Sequence, residues 1–369
     1  MAPQLAPVRD AYGRPLNNLR LAVTNECNYR CVFCHLEGDP LGEPARPGRL
    51  PPIVLPREYG IVARAARLLG IDSFKITGGE PLIRRDIVEI VRSLSENAPG
   101  SDISMTTNGY LLSKLAPGLA EAGLRRVNIS IHSLDEERYR FITGVKGLYM
   151  ALKGLEAARD QGFKLKVNMV VLKGVNEDEI FKIAELAHAN GAVLQLIELH
   201  PVGLGAKFFS KYFYPLSLVE KKMMEMGARV ERRSLHNRPV YVLPGGVRIE
   251  VVRPHANPIF CAGCSRVRLS ATGHLTPCLN WKGHRIHLLP RIRSAGSEEE
   301  AVMEAVKALL EVNFLRKPYY MVKRMNKRGG DLMSTKFPGG NGAYRIKHVP
   351  KKSEYLKLVE ALSYQPLRE

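Results

Sequence analysis

Between residues 19 and 199, short apolar runs alternate with amphipathic stretches, and this alternation limits the fold more than any other feature of the chain. Leu19–Asn25, Ser73–Thr77, Ile103–Thr107, Val127–Ile131, Leu165–Leu172 and Val193–Leu199 read as strands. Between them, Glu58–Leu69, Arg84–Leu94, Leu111–Ala122, Leu148–Gln161 and Glu177–Ala189 read as helices, with another helical segment near Glu136. Ile61, Val62, Ala65, Ala66, Leu68 and Leu69 show the helical spacing clearly. Strands separated by helices argue for a parallel sheet with crossover helices. Six such units fall short of the eight in a closed barrel. The expected fold is therefore α/β, a partial (βα)6 TIM-like barrel.

After Leu199 the pattern changes. His200–Tyr214 is rich in Gly, Phe and Tyr and reads as an irregular loop. Val240–Leu243 and Val247–Val252 flank Pro244-Gly245-Gly246, a hairpin signature. Arg266–Ser270 and His274–Pro277 flank Thr272-Gly273 in the same way, and Glu298–Leu310 reads as a helix. From Val322 onward there are 11 Lys/Arg against 4 Asp/Glu, which reads as a basic tail with a short helix near Glu354–Leu362. The expected organisation is an N-terminal segment (1–15), the partial barrel (16–235), a C-terminal extension (236–321) and the tail (322–369).

Composition narrows the function classes. With 45% hydrophobic and 25% charged residues in 369, the chain is not expected to be disordered. No apolar run reaches eighteen residues and no h-region opens the chain. A membrane span and a secretory signal are thus not expected, and the cytoplasm is the default location. A net charge of +19 favours an anionic partner, whether nucleotide, nucleic acid or acidic surface, although solvated surface charge would give the same total.

The six cysteines form two trios, Cys27, Cys31, Cys34 and Cys261, Cys264, Cys278. Cytosolic chains rarely keep disulfides, so short spacings point to soft-metal ligands. C-x3-C-x2-C follows a strand directly. Three thiolates hold three irons of a [4Fe–4S] cube and leave the fourth open to a small molecule. Structural zinc, the alternative, needs a fourth ligand such as His35. The second trio repeats the shortfall, and its open iron would face a substrate. Arg266 and Arg268 alternate on the adjoining strand and so point to one face, where they suit an anion with planar acceptors.

The C-x3-C-x2-C motif resembles the signature of the radical S-adenosylmethionine (SAM) superfamily. Thr77-Gly78-Gly79-Glu80-Pro81, one βα unit later, strengthens the likeness. Thr106-Thr107-Asn108-Gly109 and Cys261-Ala262-Gly263-Cys264-Ser265-Arg266-Val267-Arg268 add to it, with Cys278 closing the second trio. Together these motifs resemble the molybdenum cofactor biosynthesis GTP 3′,8-cyclase (MoaA) family over about residues 10–320. The resemblance implies two [4Fe–4S] clusters, the second in an auxiliary-cluster C-terminal extension. It implies SAM contacts at Phe33, Gly79, Glu80, Ser130 and His200. It implies GTP contacts at Arg20, Lys75, Thr106, Lys166, Arg266, Val267 and Arg268, with Arg266 and Arg268 as the catalytic pair. Five Lys and Arg among these would clamp a triphosphate.

The implied reaction begins with a 5′-deoxyadenosyl radical that takes hydrogen from ribose C3′ of GTP. The C3′ radical attacks C8, and reduction gives (8S)-3′,8-cyclo-7,8-dihydroguanosine 5′-triphosphate. Implied partners are GTP, an electron donor and a downstream cyclic pyranopterin monophosphate synthase. A homodimer is compatible with this reading, and nucleic acid is not an expected partner. Three positions depart from the family pattern. Phe33 replaces a usual Tyr, and His200 replaces a usual methionine whose packing role an imidazole could fill. Many members end in a Gly-Gly tail that reaches the active site, whereas Gly329-Gly330 and Gly339-Gly340 are internal here. Two alternatives stay open: a radical SAM peptide-modifying enzyme with an auxiliary cluster, and a non-enzymatic iron–sulfur or zinc protein that binds RNA.

Overall fold

A computed structural model of the chain describes residues 7–37 and 53–318. The basic tail, its expected helix and both internal Gly-Gly pairs lie outside the described residues. The barrel part runs β1 (Asn18–Ala22), α1 (Pro56–Leu68), β2 (Ser73–Thr77), α2 (Ile87–Asn97), β3 (Asp102–Thr107), α3 (Leu112–Glu121) and β4 (Arg126–Ser130). It continues with α4 (Glu136–Thr143), α5 (Leu148–Asp160), β5 (Lys164–Val171), α6 (Ile180–Ala189) and β6 (Val193–Glu198). The remainder contributes α7 (Gly205–Tyr212), α8 (Leu216–Glu225), β7 (Arg229–Arg232), β8 (Pro239–Val242) and β9 (Arg248–Val252). Then follow α9 (Pro258–Ala262), β10 (Arg266–Leu269), β11 (His274–Thr276), β12 (Ile286–His287), α10 (Leu288–Arg293) and α11 (Glu298–Phe314).

All six expected strands form, and β1 to β6 pair in sequence, each parallel to the next. The sheet order is β12-β11-β10-β1-β2-β3-β4-β5-β6-β9-β8-β7, and it does not close. The C-terminal part extends the sheet at both edges. β10 lies parallel beside β1, and β9 lies parallel beside β6, so the parallel run holds eight strands rather than six. Each added strand then turns back in an antiparallel pair, β10 with β11 and β9 with β8. The β8–β9 turn needs its glycines, because Gly245 and Gly246 have φ of +84° and +86°, where a Cβ would be strained.

The main core lies between sheet and helices, with a smaller cluster around Ile142, Val170, Leu172 and Leu199. Leu19, Leu21, Phe74, Ile76, Met105, Val127, Ile129, Val167 and Leu196 are all fully or almost fully buried. α11 packs on α1, with Ala301, Val302, Ala305 and Val306 among its buried residues, and so ties the C-terminal part to the barrel's outer layer. The expected loop at His200–Tyr214 is a correction, because Gly205–Tyr212 is a helix. Its aromatic residues pack on the barrel: Phe209 and Tyr212 lie against Ile142, Val170 and Leu172. No helix among the described residues is long and apolar enough to cross a membrane.

Candidate active site

Both cysteine trios line a single cavity of about 670 Å³, at the low to middle of the size range for ligand sites. The trios are about 230 residues apart in sequence, and the β1–β10 pairing is what joins them. Asn18 lies opposite Arg266 and Arg20 opposite Arg268 in parallel register. This places the start of β10, with Cys261 and Cys264 just before it, beside the strand that leads to the first trio.

The same register assembles the cations. Arg268, Arg20 and Lys75 are lateral neighbours on β10, β1 and β2. Thr106, Asn128 and Lys166 are lateral neighbours on β3, β4 and β5. Residues two apart on a strand share a face, so these rows look into the same space. Arg20, Lys75, Thr106, Lys166, Arg266 and Arg268 all line the cavity. Val267 does not: it is fully buried in the core.

The charges in this cavity are unevenly matched. Lys75 Nζ donates to the Met105 carbonyl at 3.0 Å and to Asn128 Oδ1 at 2.9 Å, and no carboxylate among the described residues pairs with it. Burial drives its pKa well below the usual lysine value, and Arg20, Arg126, Arg266 and Lys166 push it further down. Arg266 donates to Asn18 Oδ1 at 2.6 Å and also has no carboxylate partner there. Burial, then Arg20 and Arg268, lower its pKa. Arg20 and Arg268 share Glu37. Burial would raise the Glu37 pKa, but those two guanidiniums outweigh it and hold the pKa well below the carboxylate range.

Lys166 pairs with Glu250, which also takes Arg238 at 2.8 Å and Arg233 at 3.1 Å. Burial opposes ionisation of Glu250, yet Arg238, Lys166 and Arg233 bring its pKa down to about 2. Lys166 itself is lowered to about 8 by burial, against the pull of Glu250. Glu37, Arg233, Arg238 and Glu250 were not foreseen from the sequence. No motif spacing marks them, because only the turn before β8 brings Arg233 and Arg238 into the cavity and only the β6–β9 pairing brings Glu250 to Lys166.

The first trio sits where β1 runs out. Backbone N–H groups of Tyr29 and Leu36 donate to the sulfurs of Cys27 and Cys34, each at 3.4 Å. Burial raises the Cys27 pKa to about 11 and pushes Cys31 and Cys34 up as well, so ionisation needs a metal to favour it. Gly78 and Gly79 line the cavity, and a structural reason for glycine appears alongside the expected one. A Cβ on Gly79 would lie 1.8 Å from the Glu26 carbonyl oxygen, because the segment entering the trio crosses directly over the loop. Glu80 is engaged internally: it accepts from Thr107 Oγ1 at 2.6 Å, Asn108 N at 2.7 Å and Leu82 N at 3.0 Å. It thereby ties the Gly-Gly loop to the Thr-Thr-Asn-Gly turn. Burial raises its pKa to about 7, against these hydrogen bonds.

Phe33, Ser130 and His200 also line the cavity. Burial, then His35, lowers the His200 pKa to about 4. Its Nδ1 is buried without a partner, while Nε2 meets Asn280 Oδ1 at 3.3 Å.

The second trio is held from behind by two buried arginines. Arg14 donates to the Cys261 carbonyl at 3.0 Å and Arg316 to the Cys264 carbonyl, with Asp10 between them. Burial would raise the Cys264 pKa, but Arg316 and Arg14 bring it below the ordinary thiol value. Asn280 N donates to Cys278 Sγ at 3.5 Å. All six cysteines are free thiols of intermediate exposure. The first trio, with its N–H···S bonds, has the donor chemistry of a polynuclear iron–sulfur cluster.

The chain matches the Radical SAM superfamily over residues 21–187 and Molybdenum Cofactor Synthesis C over 192–320. A probable GTP 3′,8-cyclase of Aeropyrum pernix is 49% identical over 316 residues, covering 86% of this chain and 88% of that protein. One from Thermococcus kodakarensis is 42% identical, covering 84% and 99%. Solved structures share the fold at low identity. Streptococcus suis SuiB bound to S-adenosylmethionine has a TM-score of 0.56 at 17% identity, covering 74% of this chain and 64% of its own. This chain thus spans less than two thirds of that enzyme's length. Native anSMEcpe with bound AdoMet has a TM-score of 0.50 at 17% identity, covering 80% and 82%. With the two family regions in tandem and this identity over most of both sequences, the chain belongs to the GTP 3′,8-cyclase family of the radical SAM superfamily.

Proposed function

We propose that this chain is a GTP 3′,8-cyclase of molybdenum cofactor biosynthesis, converting GTP to (8S)-3′,8-cyclo-7,8-dihydroguanosine 5′-triphosphate. The observation that carries this reading is the shared cavity. Two cysteine trios meet there with Arg20, Lys75, Lys166, Arg266 and Arg268, and Lys75 and Arg266 have no carboxylate partner among the described residues. A buried cation without a counter-charge is costly. A triphosphate of roughly four negative charges supplies what the cavity lacks. The names of the relatives point to the same substrate.

Cys27, Cys31 and Cys34 would hold the first cluster, with Phe33, Gly79, Glu80, Ser130 and His200 around SAM. Cys261, Cys264 and Cys278 would hold the second cluster. When bound, the first cluster and SAM supply one-electron cleavage of a carbon–sulfur bond. The rest is the chain's own work. Arg20, Lys75 and Arg268 form one cationic row across three strands, Arg266 stands two residues before Arg268 on β10, and Lys166 stands three strands beyond Lys75, on β5. Phosphates held at several points leave the ribose few orientations, which is how binding selects one C–H bond among several. Neutral Asn128, Asn168 and Gln195 also line the cavity and offer hydrogen bonds without adding charge.

The test is anaerobic incubation of the reconstituted, dithionite-reduced protein with GTP and SAM, followed by mass analysis. GTP gives up one hydrogen atom and regains one electron and one proton, so the product should be an isomer of GTP, formed together with 5′-deoxyadenosine. Formation of 5′-deoxyadenosine with GTP returned unchanged would refute the substrate and favour the peptide-modifying alternative. No 5′-deoxyadenosine at all would favour the non-enzymatic one.

A further inference from the structure

His236 lies in the turn between β7 and β8, outside every motif noted above. It lines the shared cavity and is 7% exposed. Its ring is stacked on Phe260, with centroids 3.9 Å apart and planes at 18°. The backbone beneath it is strained: His236 has φ +61° and Asn237 has φ +51°, a region that residues with a Cβ rarely adopt. The loop of the second trio holds that strain in place. His236 N donates to the Gly263 carbonyl at 2.7 Å, and the Asn237 side chain donates to the Ile259 carbonyl at 3.0 Å. A Cβ on Gly263 would fall 2.8 Å from Asn237 N. Strain of this kind persists only where surrounding packing enforces it, and it clusters at binding sites.

The ring itself has work left to do. No hydrogen bond from a described protein group reaches its nitrogens. Burial disfavours its charged form, and Arg266, Arg238, Arg268 and Arg20 disfavour it further, so the imidazole is neutral. A neutral imidazole keeps one N–H donor. That donor lines the same cavity as Arg266, the guanidinium with no carboxylate partner among the described residues.

We infer that His236 is a further nucleotide-contact residue: its ring, held flat on Phe260, donates an N–H to a phosphate oxygen of the bound triphosphate. For the identity of the nucleotide this rests on the function proposed above. The test uses the holoenzyme with both clusters in place, without turnover, and measures Kd by equilibrium dialysis for GTP and for inorganic triphosphate. His236→Phe keeps a flat ring and removes the nitrogens. It should raise both Kd values about tenfold or more, the cost of losing one hydrogen bond to a charged acceptor. Iron content and SAM cleavage without GTP should stay at the parent level. Unchanged Kd values for both probes would overturn the inference.

Should His236→Phe lose iron, His236→Asn is compared with His236→Ala. Asn accepts the left-handed backbone and retains an N–H donor. Binding about tenfold weaker in the Ala variant than in the Asn variant supports the role, and equal binding overturns it. A parent protein that binds inorganic triphosphate but not GTP would sink the substrate reading alone, and the His236 test would still be read on triphosphate.

Discussion

Replacing Glu250 with Gln should destabilise the protein and tighten nucleotide binding at the same time. The Glu250 side chain is 1% exposed, accepts from Lys166 and Arg233 and is ion-paired with Arg238, so solvent does little to screen the interaction. Its pKa falls from 4.5 to about 2, a difference worth about 3 kcal/mol at pH 7. The folded value lies below the unfolded one. The stabilisation is therefore complete above about pH 4.5 and drains away as pH falls toward 2, with about 2 kcal/mol remaining at pH 3.5. Unfolding of 369 residues carries an entropy of about 0.8 kcal/mol/K, so Glu250→Gln should lower Tm by about 4 °C at pH 7. Glutamine has nearly the same shape, so packing contributes little to the difference.

The measurement is thermal unfolding of parent and variant at pH 7 and pH 3.5, with GTP binding at pH 7. The Tm gap should narrow by about a third or more in acid. Lys166, Arg233 and Arg238, freed of their carboxylate, should bind GTP more tightly. A Tm within 1 °C of the parent at pH 7, or a gap as wide at pH 3.5, would refute the electrostatic account. Weaker GTP binding would show that Glu250 supports the clamp rather than competing with it.

Three further expectations follow from the geometry. Gly79→Ala forces a Cβ into the Glu26 carbonyl, so it should cost about 1–3 kcal/mol and shed iron from the first trio before the second, read by iron content and Mössbauer spectra. Cys27→Ala should abolish 5′-deoxyadenosine formation, whereas Cys264→Ala should keep some of it yet yield no cyclised GTP; full cyclisation in the second variant contradicts the second-cluster role. Arg266→Ala removes a cation held by Asn18 and should raise the Kd for GTP about tenfold or more while SAM cleavage changes less, measured by dialysis and product assay.

Much of the barrel was legible in the sequence because each strand and helix carries its own period. Ser73–Thr77 and Glu298 onward fell at or near the residues expected, and both hairpins formed where their Gly-containing turns lie. The six cysteines were legible as one site only through resemblance, since nothing local in either trio says that they meet. The helix at Gly205–Tyr212 was missed because its aromatic residues are dictated by packing on Ile142, Val170 and Leu172, not by helical propensity. β7 was missed because all four of its residues are exposed and so show no apolar alternation. Glu250, Arg238 and Arg233 escaped for a deeper reason: their role depends on β9 pairing with β6, about 55 residues away, and pairing partners leave no mark on single-sequence periodicity.

The pairing of Asn18 with Arg266 spans 248 residues, and this has a consequence for how the protein is made. During synthesis the chain emerges N-terminus first, so β1 must wait with one flank unpaired until almost the whole described chain has left the ribosome. An unpaired flank is a template for unwanted association, and a contact this distant in sequence closes slowly. The anion seat is therefore completed among the last steps of folding. A chain cut short before residue 266 should keep its first three cysteines beside a bare strand edge, a species for chaperones rather than for chemistry.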